Sequence, residues 1–242
     1  EFIQKHKLFS FYSGLMIIIV LIAIFAPWLA PGDAFTSNIS QALQAPSSQH
    51  WFGTDDLGRD IFSRIIYGCR VSLSVGIISQ IIATVIGYTM GVCAGYFGGK
   101  VDSVISFLIQ VFSSFPFLLF AMAIMFVLGP GLINLYLALG LLGWASTARL
   151  IRGDVMRLKK MEYIDACKVS GGNSFRIIMK HLLPNCLSTL IVTVTLGIPN
   201  AIMSEASLSF LGLGVKAPMA SWGSMISFSQ PYIRSATYYS VI

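Results

Sequence analysis

Three histidines, His6, His50 and His181, and four cysteines, Cys69, Cys93, Cys167 and Cys186, are the side chains best suited to metal binding or nucleophilic chemistry. The histidines lie far apart, and no two share the i, i+3 or i, i+4 spacing that puts two imidazoles on one helix face, so no metal site is expected. The cysteines form no CxxC pair and do not describe a disulfide framework. Serine, histidine and aspartate occur without a nucleophile elbow or an HExxH pattern, which leaves a hydrolase without a motif to carry it. No GxxxxGK[ST] loop is present, so the chain lacks the backbone cradle that holds nucleotide phosphates.

Charge chemistry is concentrated in three places. In the stretch GTDDLGRD, Gly53 and Gly58 permit tight turns, and Asp55, Asp56, Arg59 and Asp60 can form an ion-pair and capping network ahead of a helix starting at Ile61. A scaffold is the preferred reading, with contact to an external partner as the other. Glu205 is the one acidic residue near membrane depth. It either faces a water-filled path or accepts bonds from the backbone of the glycine-rich turn after it, and the second reading is preferred because a carboxylate at a span end can reach the interface. The third place is residues 149–181, which hold eight basic residues. Residues 161–170 have helical spacing with small side chains at Ala166 and Cys167, and Gly171-Gly172 supplies the positive φ that stops a helix. Asn173 or Ser174 can cap a second helix, expected to run to Pro184. Small residues on the first helix allow close approach of another protein, and Glu162, Asp165 and Lys168 charge its surface.

The elements that must position these groups are apolar. Of 242 residues, 55% are hydrophobic and 11% charged, against roughly a quarter charged in a soluble domain. Residues 8–30 carry no charge. That is a full span, longer than the ~7–15-residue apolar region of a cleaved signal peptide. Uncharged runs at 71–99, 103–148 and 182–204 follow. The second divides at Gly129-Pro130-Gly131 into spans 103–128 and 131–148. The expected order within one transmembrane domain is span 1 (8–30), an external loop and helix (31–70), spans 2 to 4 (71–99, 103–128, 131–148), a cytosolic loop (149–181), span 5 (182–205), an external loop (206–237) and a truncated span 6 beginning at 238–242. Ionisable residues are absent from the first four spans, which argues against a proton- or ion-coupled transporter. Gly87, Gly91 and Gly95 form a GxxxGxxxG ridge for close helix packing, within the chain or against a partner.

Loop charges orient this array, because lysine and arginine collect in short cytosolic loops. With the N-terminus inside, eleven of the 16 basic residues fall in the cytosol. The net charge of +6 follows from that asymmetry and from anionic headgroups, and no aromatic-basic pattern calls for nucleic acid.

Three stretches carry a family resemblance. Asp165-Ala166-Cys167, Gly171, His181 and Leu183-Pro184 resemble the cytosolic EAA loop of importer-type ATP-binding-cassette (ABC) permeases. The spacing of that pattern is kept, while Asp replaces Glu, Cys replaces the second Ala and His replaces Ile. The string HWFGTDDLGRDIFSRIIYGCRVSL at 50–73 and SEASLSFLGLG at 204–214 resemble the dipeptide, oligopeptide and nickel permeases of that class, so the resemblance covers residues 51–222 almost without gaps. It implies an all-α integral membrane fold with six spans and a cytosolic N-terminus, in a multi-pass permease of a bacterial or archaeal cytoplasmic (inner) membrane. Glu162, Tyr163, Asp165, Ala166, Cys167 and Gly171 would form the coupling helix against a cytosolic ATPase. The implied partners are a second homologous permease, two ATPase subunits that hold ATP and magnesium, an extracytoplasmic solute-binding protein and membrane lipids. The chain itself would hold no cofactor and be no enzyme. Peptides are the expected cargo and nickel or a metal chelate the alternative, with Glu205 the candidate on the translocation path.

Overall fold

The computed structural model describes residues 7–241, and among them the chain is helical, with one isolated bridge between Thr54 and Asp60 and no strand. Helix α1 (Lys7–Ile24) is apolar after its first residues, and α2 (Ala26–Leu29) adds one turn with Pro27 where a missing N–H costs nothing. Helix α3 (Ile61–Phe97) runs for 37 residues. It is followed by α4 (Gly99–Ser114), α5 (Phe117–Leu128) and α6 (Leu132–Leu158). Helix α7 (Glu162–Val169) and α8 (Ser174–Ile177) lead through a π-helical stretch, Ile178–Leu182, into α9 (Leu183–Phe210). Helices α10 (Trp222–Ser229) and α11 (Thr237–Val241) complete the order.

Two long helices, Ile61–Phe97 and the continuous Ser174–Phe210, have the length and composition to cross a bilayer alone, and α4 with α5 qualifies as a pair. That pair corrects the single helix expected over 103–128. It bends by 90°, because Pro116 lacks an N–H and drives Phe115 out of the helical region to φ −93° and ψ 140°. Pro184 has the opposite outcome. The helix expected to stop there continues, since the π-turn before it, with Leu183 N–H donating to Ile178 O, re-registers the ladder around the proline. Residues 206–237 are also less loop-like than expected. Ser221 and Ser224 form a reciprocal capping box that starts α10.

The chain divides into two compact units. One comprises the described residues up to Val75, with Pro130–Leu132 and the described residues from Glu205 onward; the other comprises Gly76–Gly129 and Ile133–Ser204. In the second unit the glycine ridge of α3 meets α6. A β-carbon at Gly87, Gly91 or Gly95 would stand 2.6 Å from Thr147 Cβ, 2.7 Å from Ala148 O and 2.9 Å from Arg152 O, respectively. The ridge therefore serves packing inside the chain. Arg152 grips Asp102 with two bonds of 2.5 and 2.7 Å, tying α6 to α4. On this unit Phe126, Val127, Ile133, Ile191 and Leu196 are exposed while Ser79, Gln80 and Thr147 are buried. Apolar outside and polar inside is the distribution for helices whose solvent is hydrocarbon.

Candidate functional site

Helix α7 presents the most outward-facing chemistry. It starts at Met161, which offers no side-chain cap, and ends where Gly171 adopts φ +80°, a conformation that glycine reaches without steric cost. Ser170, Gly171 and Gly172 donate backbone bonds to Ala166, Lys168 and Cys167 carbonyls, closing the turn. Asn173 Oδ1 then accepts from Arg176 N–H at 2.8 Å and opens the next helix. Ile164 anchors α7, fully buried in a core with Val92, Tyr96, Val155, Ile177 and Leu182, and Cys167 packs at the edge of that core. The opposite face stays open. Glu162, Tyr163, Asp165, Ala166 and Gly171 are exposed, Cys167 is half-buried, and Val169 is 90% exposed. Lys168 bonds Asp165 at 2.7 Å on the surface. A short helix seated on the core by Ile164 and Cys167, ended at a glycine and followed by an asparagine-capped turn, presents an open face around the small Ala166.

The acidic and basic residues of the 53–64 stretch lie in a different environment. Asp55 is fully buried; its Oδ1 accepts from Leu57 and Arg59 N–H groups at 2.9 Å each, and its Oδ2 meets Arg59 Nε at 2.7 Å and Arg64 Nε at 3.3 Å. Arg64 also donates to Ala34 O at 2.9 Å. Asp60 caps α3 by accepting from Ser63 N–H at 2.8 Å and meets His50 Nδ1 at 3.0 Å. Asp56 receives the Tyr239 hydroxyl at 3.5 Å. Gly58 at φ +73° leaves room for Asn38 O, which a β-carbon would overlap at 1.8 Å. Sequence reasoning singled out Asp55, Asp56, Arg59 and Asp60 but passed over Arg64, whose signal was an arginine in a four-residue helical step from Asp60.

Glu205 is 0% exposed within the first unit. It accepts from the Ser209 hydroxyl at 2.5 Å and from Ser72 at 3.5 Å, while Ser72 Oγ in turn accepts from Trp222 N–H at 3.2 Å. Both of these partners are hydroxyls, in place of the glycine-rich turn's backbone. Gly214 packs so closely on Ser209 that a β-carbon would lie 1.8 Å from its oxygen. Ser72, 133 residues from Glu205, leaves no local pattern, whereas Ser209 stands one helical turn after Glu205, a signal that sequence reasoning passed over.

Among the described residues, no cluster of three His, Cys, Asp or Glu side chains could hold a metal. The helical architecture is that of an ABC importer permease. An inward-facing structure of the MetNI methionine ABC transporter matches with a TM-score of 0.58 at 20% identity, over 72% of this chain and 83% of that one. The chain belongs to the binding-protein-dependent transport system inner membrane component family, whose model matches residues 83–242. Residues 4–46 match the N-terminal transmembrane domain of oligopeptide transport permease C. It is 46% identical to the dipeptide transport system permease protein of Alkalihalophilus pseudofirmus, over 98% of this chain and 78% of that protein. It is 41% identical both to the dipeptide and to the oligopeptide transport system permease proteins of Bacillus subtilis, over 98% of this chain and 74% and 76% of theirs. The chain is thus a multi-pass inner-membrane permease subunit, not an enzyme, and such a permease works with ATPase and other subunits.

Proposed function

We propose that this chain forms half of a translocation pathway for di- or oligopeptides. The A. pseudofirmus and B. subtilis relatives are dipeptide and oligopeptide permeases, and these support peptides over nickel. A second homologous permease would complete the pathway, an extracytoplasmic binding protein would deliver the peptide, and two ATPase subunits would hold ATP and magnesium. The N-terminus and α7 would be cytosolic, as the basic residues favour. ATPase closure would draw the coupling helices together and turn the pathway outward by rigid-body motion.

The observation that carries the coupling role is the open face of α7, with its small Ala166 and half-buried Cys167 above a buried Ile164. Rigidity matters there because a mobile helix would absorb the partner's motion instead of passing it on. The Asp55 network and Glu205 read as scaffold, since their charges and hydroxyls are spent within the first unit.

The test uses the reconstituted transporter. Ala166→Trp should insert normally and lose substrate-stimulated ATPase activity, and a short bifunctional thiol reagent should link Cys167 to a cysteine placed in the ATPase cleft with a nucleotide-dependent yield. Full stimulation in Ala166→Trp with no crosslink under any nucleotide condition would make α7 a membrane-surface helix. Uptake of labelled dipeptide, with nickel as the competing cargo, tests the substrate.

A further inference from the structure

Two of the three positions at which the 165–184 segment departs from the EAA pattern are Cys167, where that pattern has alanine, and His181, where it has isoleucine. They stand 14 residues apart in sequence and meet in space: Cys167 Sγ lies 3.6 Å from His181 Nε2. Each is partly exposed: Cys167 packs at the edge of the core that holds Ile164 and still reaches solvent. The ring of Tyr163 packs near the imidazole, 6.2 Å between centroids. The turn closes against the sulfur at Gly172, where a β-carbon would stand 2.6 Å from Sγ. Cys69 and Cys186 are buried; Cys93 is partly exposed like Cys167, and each packs at the edge of an apolar cluster, but only Cys167 meets an imidazole.

We infer that Cys167 and His181 form a thiol–imidazole pair that makes α7 a site of S-thiolation by low-molecular-weight disulfides. The imidazole accepts the thiol proton, and the resulting thiolate is the nucleophile for exchange. Its sulfur attacks one sulfur of the disulfide RSSR, a Cys167–S–S–R bond forms as the RS–SR bond breaks, and the departing thiolate RS⁻ takes up the proton held by His181. One thiol is oxidised to a mixed disulfide and one equivalent of RSH leaves. Because the product carries a bulky group beside Ala166, it would stand in the contact proposed for the ATPase. That consequence rests on the proposed coupling role, whereas the reactivity does not.

The experiment has two arms. Purified full chain in lipid nanodiscs is treated with oxidised glutathione, and peptide mass mapping follows each cysteine. Cys167 should be modified fastest, and His181→Ile, which restores the pattern residue, should slow it about tenfold by removing the proton acceptor. The thiolate ultraviolet absorbance that disappears in Cys167→Ala should also disappear in His181→Ile. Equal rates and equal absorbance in wild type and His181→Ile would overturn the pair, leaving a packing contact. In the second arm the reconstituted transporter is assayed with and without oxidised glutathione. Wild type should lose stimulated ATPase activity in step with Cys167 modification and recover it with dithiothreitol, whereas the treated-to-untreated ratio of Cys167→Ala should stay at one. Full modification without loss of stimulation would overturn the coupling face while the reactive pair stands.

Discussion

Asp55 and Asp165 both sit in short charged stretches, and only one of them belongs to the fold. Asp55 is 0% exposed and shared by two backbone amides and two arginines. Asp165 is 65% exposed and has one lysine, three residues on, on the same helix. A buried carboxylate must have every lone pair answered, because desolvation is repaid only by partners in place. A solvated one has no such need, so Asp165 stays available for the partner contact proposed for α7. The difference teaches that charge density in sequence does not separate buried scaffold from open surface; burial and the number of partners already present do.

The sharpest way to break this comparison is Asp55→Ala. It should leave Arg59 and Arg64 buried without an anion and cost about 3–5 kcal/mol, seen as loss of inserted protein and a lower Tm. A wild-type Tm would show that the network is dispensable. Glu205→Ala, on the buried side of the comparison, should cost about 1–3 kcal/mol by orphaning the Ser209 hydroxyl; unchanged stability with reduced peptide uptake would move Glu205 to the translocation path. Gly171→Val should cost about 1–2 kcal/mol, since φ +80° crowds a Cβ against the backbone. Faster proteolysis at 170–173 in intact inverted vesicles would report it. Smallest is Asp165→Ala, which removes one surface pair worth about 0.2–1 kcal/mol and should leave Tm nearly unchanged while lowering ATPase stimulation. A Tm drop like that of Asp55→Ala would erase the distinction between the two regions.

Much of the local structure was legible. Asp60 ahead of Ile61, Asn173 after Gly171-Gly172 and the glycine step on α3 each act through neighbours within a turn or a fixed helical period, so residue type and spacing suffice. The prolines were harder. Pro116 and Pro184 remove the same N–H, yet one bends the chain by 90° and the other is absorbed by a π-turn. Which occurs depends on whether the surrounding helices hold the axis straight, and no local pattern encodes that. The capping box that begins α10 was present as Ser221 and Ser224 but lay hidden among glycines and prolines.

The sequence by itself determined that this is an all-helical membrane permease of the ABC importer class, because uncharged runs of bilayer length and the kept spacing of an EAA loop are properties of the chain read in order. Only the tertiary structure decided that Arg64 shares Asp55, that Ser72 and Ser209 hold Glu205, that the glycine ridge faces α6, and that Cys167 meets His181. Most of those pairings join residues on different elements, and even Ser209, one turn from Glu205 on α9, takes its role from the burial of that carboxylate. Burial chooses them by asking which polar groups can satisfy one another once water is excluded, and that question has no answer until the helices have packed.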